Sequence, residues 1–215
     1  MKIISMKVLA NDGVSQSGID TLTSAGFEVI TTKVAQEQLV NYINQNNISV
    51  LLVRSATTAR AALIDACPSL KVIGRGGVGM DNIDVAYARE KGLSVINTPA
   101  ASSSSVAELV FAHLFGGVRY LFDANRNMPL DGDTRFKDLK KNYAKGSELR
   151  GKTIGIIGFG RIGREVAKIA LGCGMNVIAS DNYVDTADIT LDFFDGQKVT
   201  IEVKTKPIDD LIQQS

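Results

Sequence analysis

Three groups of residues have types and spacings that could do chemistry. Gly158, Gly160 and Gly163 follow the apolar run 153–157, and Asp181 comes directly after the next apolar run, 175–180. A strand that turns sharply into a helix needs glycine at the turn, bare backbone where a pyrophosphate approaches, and a third glycine where helix packs on strand. The N–H groups that open such a helix lack partners within it and sit at its positive dipole end, so they face the phosphates. A carboxylate at the end of the second strand can accept the ribose 2′- and 3′-hydroxyls and repels a 2′-phosphate, which favours NAD over NADP. Glycine spacing alone also marks ordinary turns; strand, glycines, helix, second strand and acid in that order are what point to a dinucleotide.

The second group, Arg54 and Ser55 with Thr57, follows the apolar run 48–53, and the third is the glycine-rich segment 74–84, containing Arg75, Gly76 and Gly77. A guanidinium with hydroxyls suits an anion. A string of backbone N–H groups in glycine-rich conformations can form an anion-binding nest, with Arg75 inside it. Together they describe a small acidic substrate. A single loop arginine is most often solvated; position directly after a strand singles these two out.

The elements that must position these groups alternate. Residues 7–10, 27–31, 48–53, 70–73 and 93–96 read as strands, and 16–25, 36–46, 59–66 and 84–91 as helices, with Gly26, Pro68 and Gly92 as stops. Such alternation implies a parallel sheet covered on both faces, with ligands outside the carboxyl ends of its strands. A second sheet begins with 153–157 and 175–180 around a helix at 163–170. It continues through an acidic stretch to a short strand at 199–203 and a helix at 207–213. Ser105 and Glu108 read as a capping box before one long helix over 106–123, apolar nearly all round and therefore buried between domains or against a partner subunit. It carries the only histidine, His113, which in that setting reads as a buried core or interface group rather than an acid–base group. Residues 125–150 turn polar and read as a solvated helix and loop, from which Lys140 and Lys141 are the candidates to reach an acidic ligand.

The 215 residues, 45% hydrophobic and 22% charged with a net charge of +1, suit one or two globular domains. They carry no imbalance that would attract nucleic acid or a membrane surface. The apolar core near the start is too short for a signal peptide, and no run approaches the length of a membrane span, so a cytoplasmic setting is expected. Cys67 and Cys173 lie far apart without metal-site spacing and read as reduced thiols.

These residues carry a family resemblance. Arg54-Ser55, the segments 74–84, 97–99, 105–109 and 148–153, and the glycine motif 155–167 resemble the NAD-dependent D-2-hydroxyacid dehydrogenases over residues 6–215. Within that family they most resemble the members that oxidise D-3-phosphoglycerate to 3-phosphohydroxypyruvate in serine synthesis. The resemblance implies an α/β fold, with a flavodoxin-like substrate domain (1–99) and a Rossmann cofactor domain (100–215), a doubly wound parallel sheet, here incomplete on its far side. It also implies a homodimer packed through the cofactor domains and hydride transfer between substrate C2 and nicotinamide C4. Carried over, Arg54 and Ser55 match substrate contacts and Gly76 and Gly77 the backbone that holds the carboxylate. Val78 matches a cofactor contact, Arg161 and Ile162 the pair over the pyrophosphate, and Asp181 the ribose acid. Lys140 and Lys141 fall where bases lie near the substrate phosphate.

The family's catalytic arginine, glutamate and histidine have no match in these residues, and His113 aligns with an ordinary helix position. Counting agrees, because a dinucleotide fold needs two βαβαβ halves at roughly 30 residues per βαβ step, more than 154–215 offers. Two readings follow. One is the amino-terminal part of a phosphoglycerate dehydrogenase, or of a dehydrogenase for glycerate or lactate; the other is a shortened module that binds an acidic metabolite or a full-length subunit without turnover. A reading frame continuing past Ser215 into an Ala-Arg-Gly motif and a later histidine is expected from the first and not from the second.

Overall fold

A computed structural model describes residues 6–215; the part of the leader reading that falls on residues 1–5 lies outside it. The chain divides into two compact units, residues 1–101 and 102–215.

In the first unit β1 (Lys7–Ala10), β2 (Glu28–Ile30), β3 (Val50–Val53), β4 (Val72–Arg75) and β5 (Ser94–Asn97) form one sheet in the order β2-β1-β3-β4-β5. Every neighbouring pair is parallel. This is the flavodoxin-type doubly wound order, whose strand direction of progress reverses between β1 and β3 and opens a crevice at their carboxyl ends. Four helices connect the strands: α1 (Gln16–Ser24), α2 (Leu39–Asn46), α3 (Ala61–Ala66) and α4 (Val85–Glu90). The strands read as unbroken apolar runs because both faces are covered. Leu9, Leu51 and Ile73 are fully buried with Leu39 and Ile43 of α2. The helix expected over 36–46 begins as a 3-10 turn, Gln36–Gln38. Arg75, expected in a loop, ends β4.

The second unit contains α5 (Ser103–Val118), α6 (Leu121–Asp131), α7 (Phe136–Tyr143), β6 (Thr153–Ile157), α8 (Arg161–Gly172), β7 (Asn176–Ser180), β8 (Thr186–Asp192), β9 (Lys198–Lys204) and α9 (Ile208–Gln214). Strands β6 and β7 are parallel, as expected of a cofactor sheet. The acidic stretch that follows is different from its expectation. Its residues form β8, which pairs antiparallel with β9 around a tight turn at Gly196, φ 84°. Thr205 then bridges Ala179 of β7 in parallel, so a strand stands in the crossover where a helix is usual.

The long helix over 106–123 is also corrected. It starts at Ser103 and stops at Val118, where Gly116 and Gly117 weaken it and Tyr120 takes a left-handed φ of 54°. Helix α6 then leaves at a bend of 55°. No capping box forms: Ser105 donates its hydroxyl to the Ser102 carbonyl, and no side chain caps the helix. Burial is one-sided, with Ala107 and Phe111 in the core beside α8 while Leu109 and Phe115 are exposed. His113, expected to be buried, is exposed too. Among the described residues no single helix is long and apolar enough to cross a membrane.

Candidate functional site

The glycine turn of the second unit is built as its chemistry requires. Gly158 takes φ 90°, a conformation that side chains resist, and its N–H donates to the Ser180 carbonyl at the end of β7 at 2.8 Å. Phe159 is fully buried and anchors the turn in the core. A methyl group on Gly163 would collide with the Gly158 carbonyl, so only glycine lets α8 start this close to β6. Gly160 faces open space, with nothing within 4 Å of where a Cβ would stand. Arg164 donates its N–H to the Gly160 carbonyl as the first helical bond. The N–H groups of Gly160, Arg161, Ile162 and Gly163 have no acceptor among the described residues. They are the orphan donors at the positive end of a 12-residue helix, the arrangement that receives a pyrophosphate.

Asp181 stands directly after β7. One carboxylate oxygen accepts the Phe159 N–H at 2.6 Å, and the other accepts those of Tyr183 and Val184 at 2.8 and 3.1 Å. The Tyr183 and Phe159 N–H groups hold its carboxyl below the usual carboxylate range. A cavity of about 740 Å³ opens beside it, lined by Gly158, Asp181, Tyr183, Lys206 and Pro207 among others. That volume suits a nucleoside, and the ionised acid at its rim suits ribose hydroxyls.

In the first unit the acid-binding candidates gather at the carboxyl ends of β3 and β4. A cavity of about 670 Å³ is lined there by Asp12, Arg54, Arg75, Gly76, Asn97 and Thr98. A second, of about 500 Å³, shares Asp12 and Arg54 and adds Lys33 and Ser55. The side chains of Arg54 and Lys33 have no carboxylate partner among the described residues. Arg75 differs: it is ion-paired with Asp81, which depresses the Asp81 carboxyl, and its buried Nε has no acceptor.

Within the glycine loop the Gly76 N–H donates to the Val53 carbonyl at 2.9 Å and the Gly77 N–H to the Arg75 carbonyl at 3.0 Å. Thr98 N–H and the Asn97 amide donate to the carbonyls of Gly77 and Val78 at 3.1 and 2.7 Å. Because a trans peptide points its N–H opposite to its carbonyl, those two bonds turn the N–H groups of Val78 and Gly79 outward, where they meet no acceptor. The donors free for an anion are therefore these two, one step along from Gly76 and Gly77.

A family model described as D-isomer specific 2-hydroxyacid dehydrogenase, catalytic domain, matches residues 8–206. The chain belongs to that family. It is 40% identical over 190 residues to the hydroxypyruvate reductase of Thermotoga maritima, covering 88% of this chain and 60% of the relative. It is also 40% identical to the D-3-phosphoglycerate dehydrogenase of Methanocaldococcus jannaschii, over 83% of this chain and 33% of that one. The chain thus spans from a third to three fifths of the length of these curated relatives. Among solved structures it resembles a glyoxylate reductase from Paecilomyes thermophila, with TM-score 0.73, 26% identity and coverage of 99% and 63%. It also resembles the 3-phosphoglycerate dehydrogenase of Entamoeba histolytica with NAD+ bound, with TM-score 0.64, 28% identity and coverage of 84% and 55%.

Of the dehydrogenase residues expected from sequence, Arg54, Ser55, Arg75, Gly76 and Gly77 come together in the first unit. Gly158, Gly160, Arg161, Ile162, Gly163 and Asp181 do so in the second. Val78 stands on the glycine loop of the first unit and is 44% exposed. Lys140 and Lys141 are exposed in the last turn of α7 in the second unit. Sequence reasoning passed over Lys33, Asn11, Asp12 and Asn82. Asp12 and Asn82 had a signal, since each follows a strand or lies in the glycine segment, but their partners are distant in sequence. Among the described residues no group of histidine, cysteine and carboxylate side chains could hold a metal. Cys67 is buried, which pushes its thiol up, and Cys173 is partly buried; both are free.

Proposed function

We propose that the chain carries the acid-binding and adenosine-binding parts of an NAD-dependent dehydrogenase that interconverts D-3-phosphoglycerate and 3-phosphohydroxypyruvate. The observation that carries this reading is Arg54, a guanidinium without a carboxylate partner among the described residues, which lines two cavities, one bordered by the glycine loop and one by Lys33. The Val78 and Gly79 N–H groups receive the substrate carboxylate. Arg54 and Lys33 supply the charge for a second anionic group, as a phosphorylated three-carbon acid requires. The N–H groups of residues 160–163 hold the pyrophosphate and Asp181 the ribose. NAD, when bound, supplies the hydride acceptor for substrate C2. A role in serine synthesis and a cytoplasmic setting belong to the same proposal. So does a homodimer formed through the second unit, for which the exposed Leu109, Phe115 and Phe122 are suitable.

The likeness to a hydroxypyruvate reductase favours a second reading, with D-glycerate as the reduced acid. Calorimetric titration of the 215-residue chain separates the two: tighter binding of 3-phospho-D-glycerate than of D-glycerate is expected, and equal affinities would favour the reductase. Binding without turnover is expected of these residues, whose one imidazole, His113, is exposed on α5. NADH oxidation with 3-phosphohydroxypyruvate by the purified chain would overturn that expectation.

A further inference from the structure

Beneath the acid site lie three polar side chains that the proposed function does not use. Asn11, Thr57 and Asn82 are 3%, 3% and 6% exposed, at positions where apolar packing would be the ordinary way to stabilise a loop. Asn11 and Asn82, together with Asp12, hold residues 54–57 from both sides. Asp12, at the end of β1, accepts the N–H groups of Arg54 and Thr57 on one carboxylate oxygen at 2.6 and 3.0 Å and the Thr57 hydroxyl on the other at 2.7 Å. Asn82, from the glycine-rich segment after β4, donates its amide to the carbonyls of Arg54 and Thr57 at 2.8 and 2.6 Å. Asn11 donates to the Thr57 oxygen at 2.8 Å and brackets the backbone of Val34, next to Lys33.

The consequence falls on one residue. The N–H and the carbonyl of Arg54 are both fixed by side chains from other loops, so the root of a long flexible side chain is clamped while its guanidinium stays unpaired. Holding the backbone limits the volume the charge can sample and lowers the entropy lost when an anion binds. The Asn82 oxygen is buried without a donor, a costly state kept for the two bonds made by the amide nitrogen.

We propose that Asp12 and Asn82 are positioning residues of the 2-hydroxy acid site and act through the backbone of Arg54. The proposal rests on the reading of Arg54 as a substrate contact. It requires the one Asp12 oxygen that takes both N–H groups rather than charge: in Asp12→Asn the amide oxygen can still take them, while the amide nitrogen reverses the Thr57 bond by donating to the second lone pair of that hydroxyl.

The test is calorimetric titration of the full chain with D-glycerate and with 3-phospho-D-glycerate, with thermal melting run on every variant. Asp12→Ala and Asn82→Ala are each expected to weaken binding about tenfold, while Asp12→Asn stays within about threefold of the unaltered chain. In an Arg54→Ala background Asp12→Ala should cost nothing further, since its effect passes through Arg54. Full additivity of Asp12→Ala and Arg54→Ala, or unaltered binding in both Asp12→Ala and Asn82→Ala, would overturn the positioning role while leaving the substrate reading intact. Should Asp12→Ala fail to fold, Asn82→Ala alone and with Arg54→Ala supplies the same cycle. Failure of the unaltered chain to bind either acid, or indifference to Arg54→Ala, would remove the substrate reading and this inference with it.

Discussion

The two glycine loops, residues 76–79 and 158–163, solve one problem by different means. Both follow a parallel strand and both turn unpaired N–H groups outward. The second hands its chain to a 12-residue helix, whose first turn supplies the donors and whose dipole supplies the field. The first has no such helix. Its donors are aimed by bonds to its own carbonyls from Asn97 and Thr98, and its charge comes from a side chain, Arg54, held by a separate network. A helix terminus is one stiff object that suits an invariant pyrophosphate. A loop assembled from several strand ends can be altered residue by residue, which suits a site whose acid differs between relatives.

That contrast can be broken most forcefully at the third glycine. Gly163→Ala puts a methyl group into the backbone carbonyl of Gly158 and is expected to lose about 3 kcal/mol by overpacking. Gly77→Ala meets only the Arg75 side chain at 3.4 Å and is expected to lose less than about 1 kcal/mol. Urea unfolding of both variants checks this, and equal losses would erase the distinction between a stiff loop and an adjustable one. Gly160→Ala should leave the unfolding midpoint unchanged, because its methyl group enters open space. In the proposed cofactor site that space receives the pyrophosphate against bare backbone, so NADH affinity in a direct titration should fall about tenfold.

Asp181→Ala should then lower the preference for NADH over NADPH, measured as a ratio of dissociation constants; an unchanged ratio would leave Asp181 only its bond to Phe159. The smallest effect expected is of pH. Burial raises the Asp12 carboxyl, and bonds from Thr57, Arg54 and Ala56 more than offset it, leaving it lowered from 3.8. A lowered value means stability present above the unfolded value and lost as pH falls through the folded one. The unfolding midpoint should therefore decline below about pH 4, less steeply in Asp12→Asn.

Much of this was legible in the chain itself. The five strands of the first sheet are apolar runs punctuated by Gly26, Pro68 and Gly92, and the order strand, glycines, helix, strand, acid placed Gly158 through Asp181 correctly on their elements. Three things were not legible, each for a physical reason. Strand β8 alternates apolar Ala187, Ile189 and Leu191 with Asp188, Thr190 and Asp192, and the acids masked the period, although Asp195-Gly196 is a strong hairpin signal. The break at Tyr120 depends on a left-handed backbone that no tyrosine announces. Asp12 and Asn82 owe their meaning to Arg54 and Thr57, which only the folded sheet brings beside them.

The β8–β9 hairpin has a consequence for how the second unit comes together. A parallel strand ordinarily waits for a crossover helix to dock before it can join its sheet. Here β9 finds its first partner a few residues back along the chain, and hairpins close in about 1–10 μs. The segment that reaches Ala179 through Thr205 can therefore arrive already half of a sheet. Lys198 paired with Asp192 keeps charge at the turn end of the hairpin, which discourages the growing chain from pairing with another copy of itself.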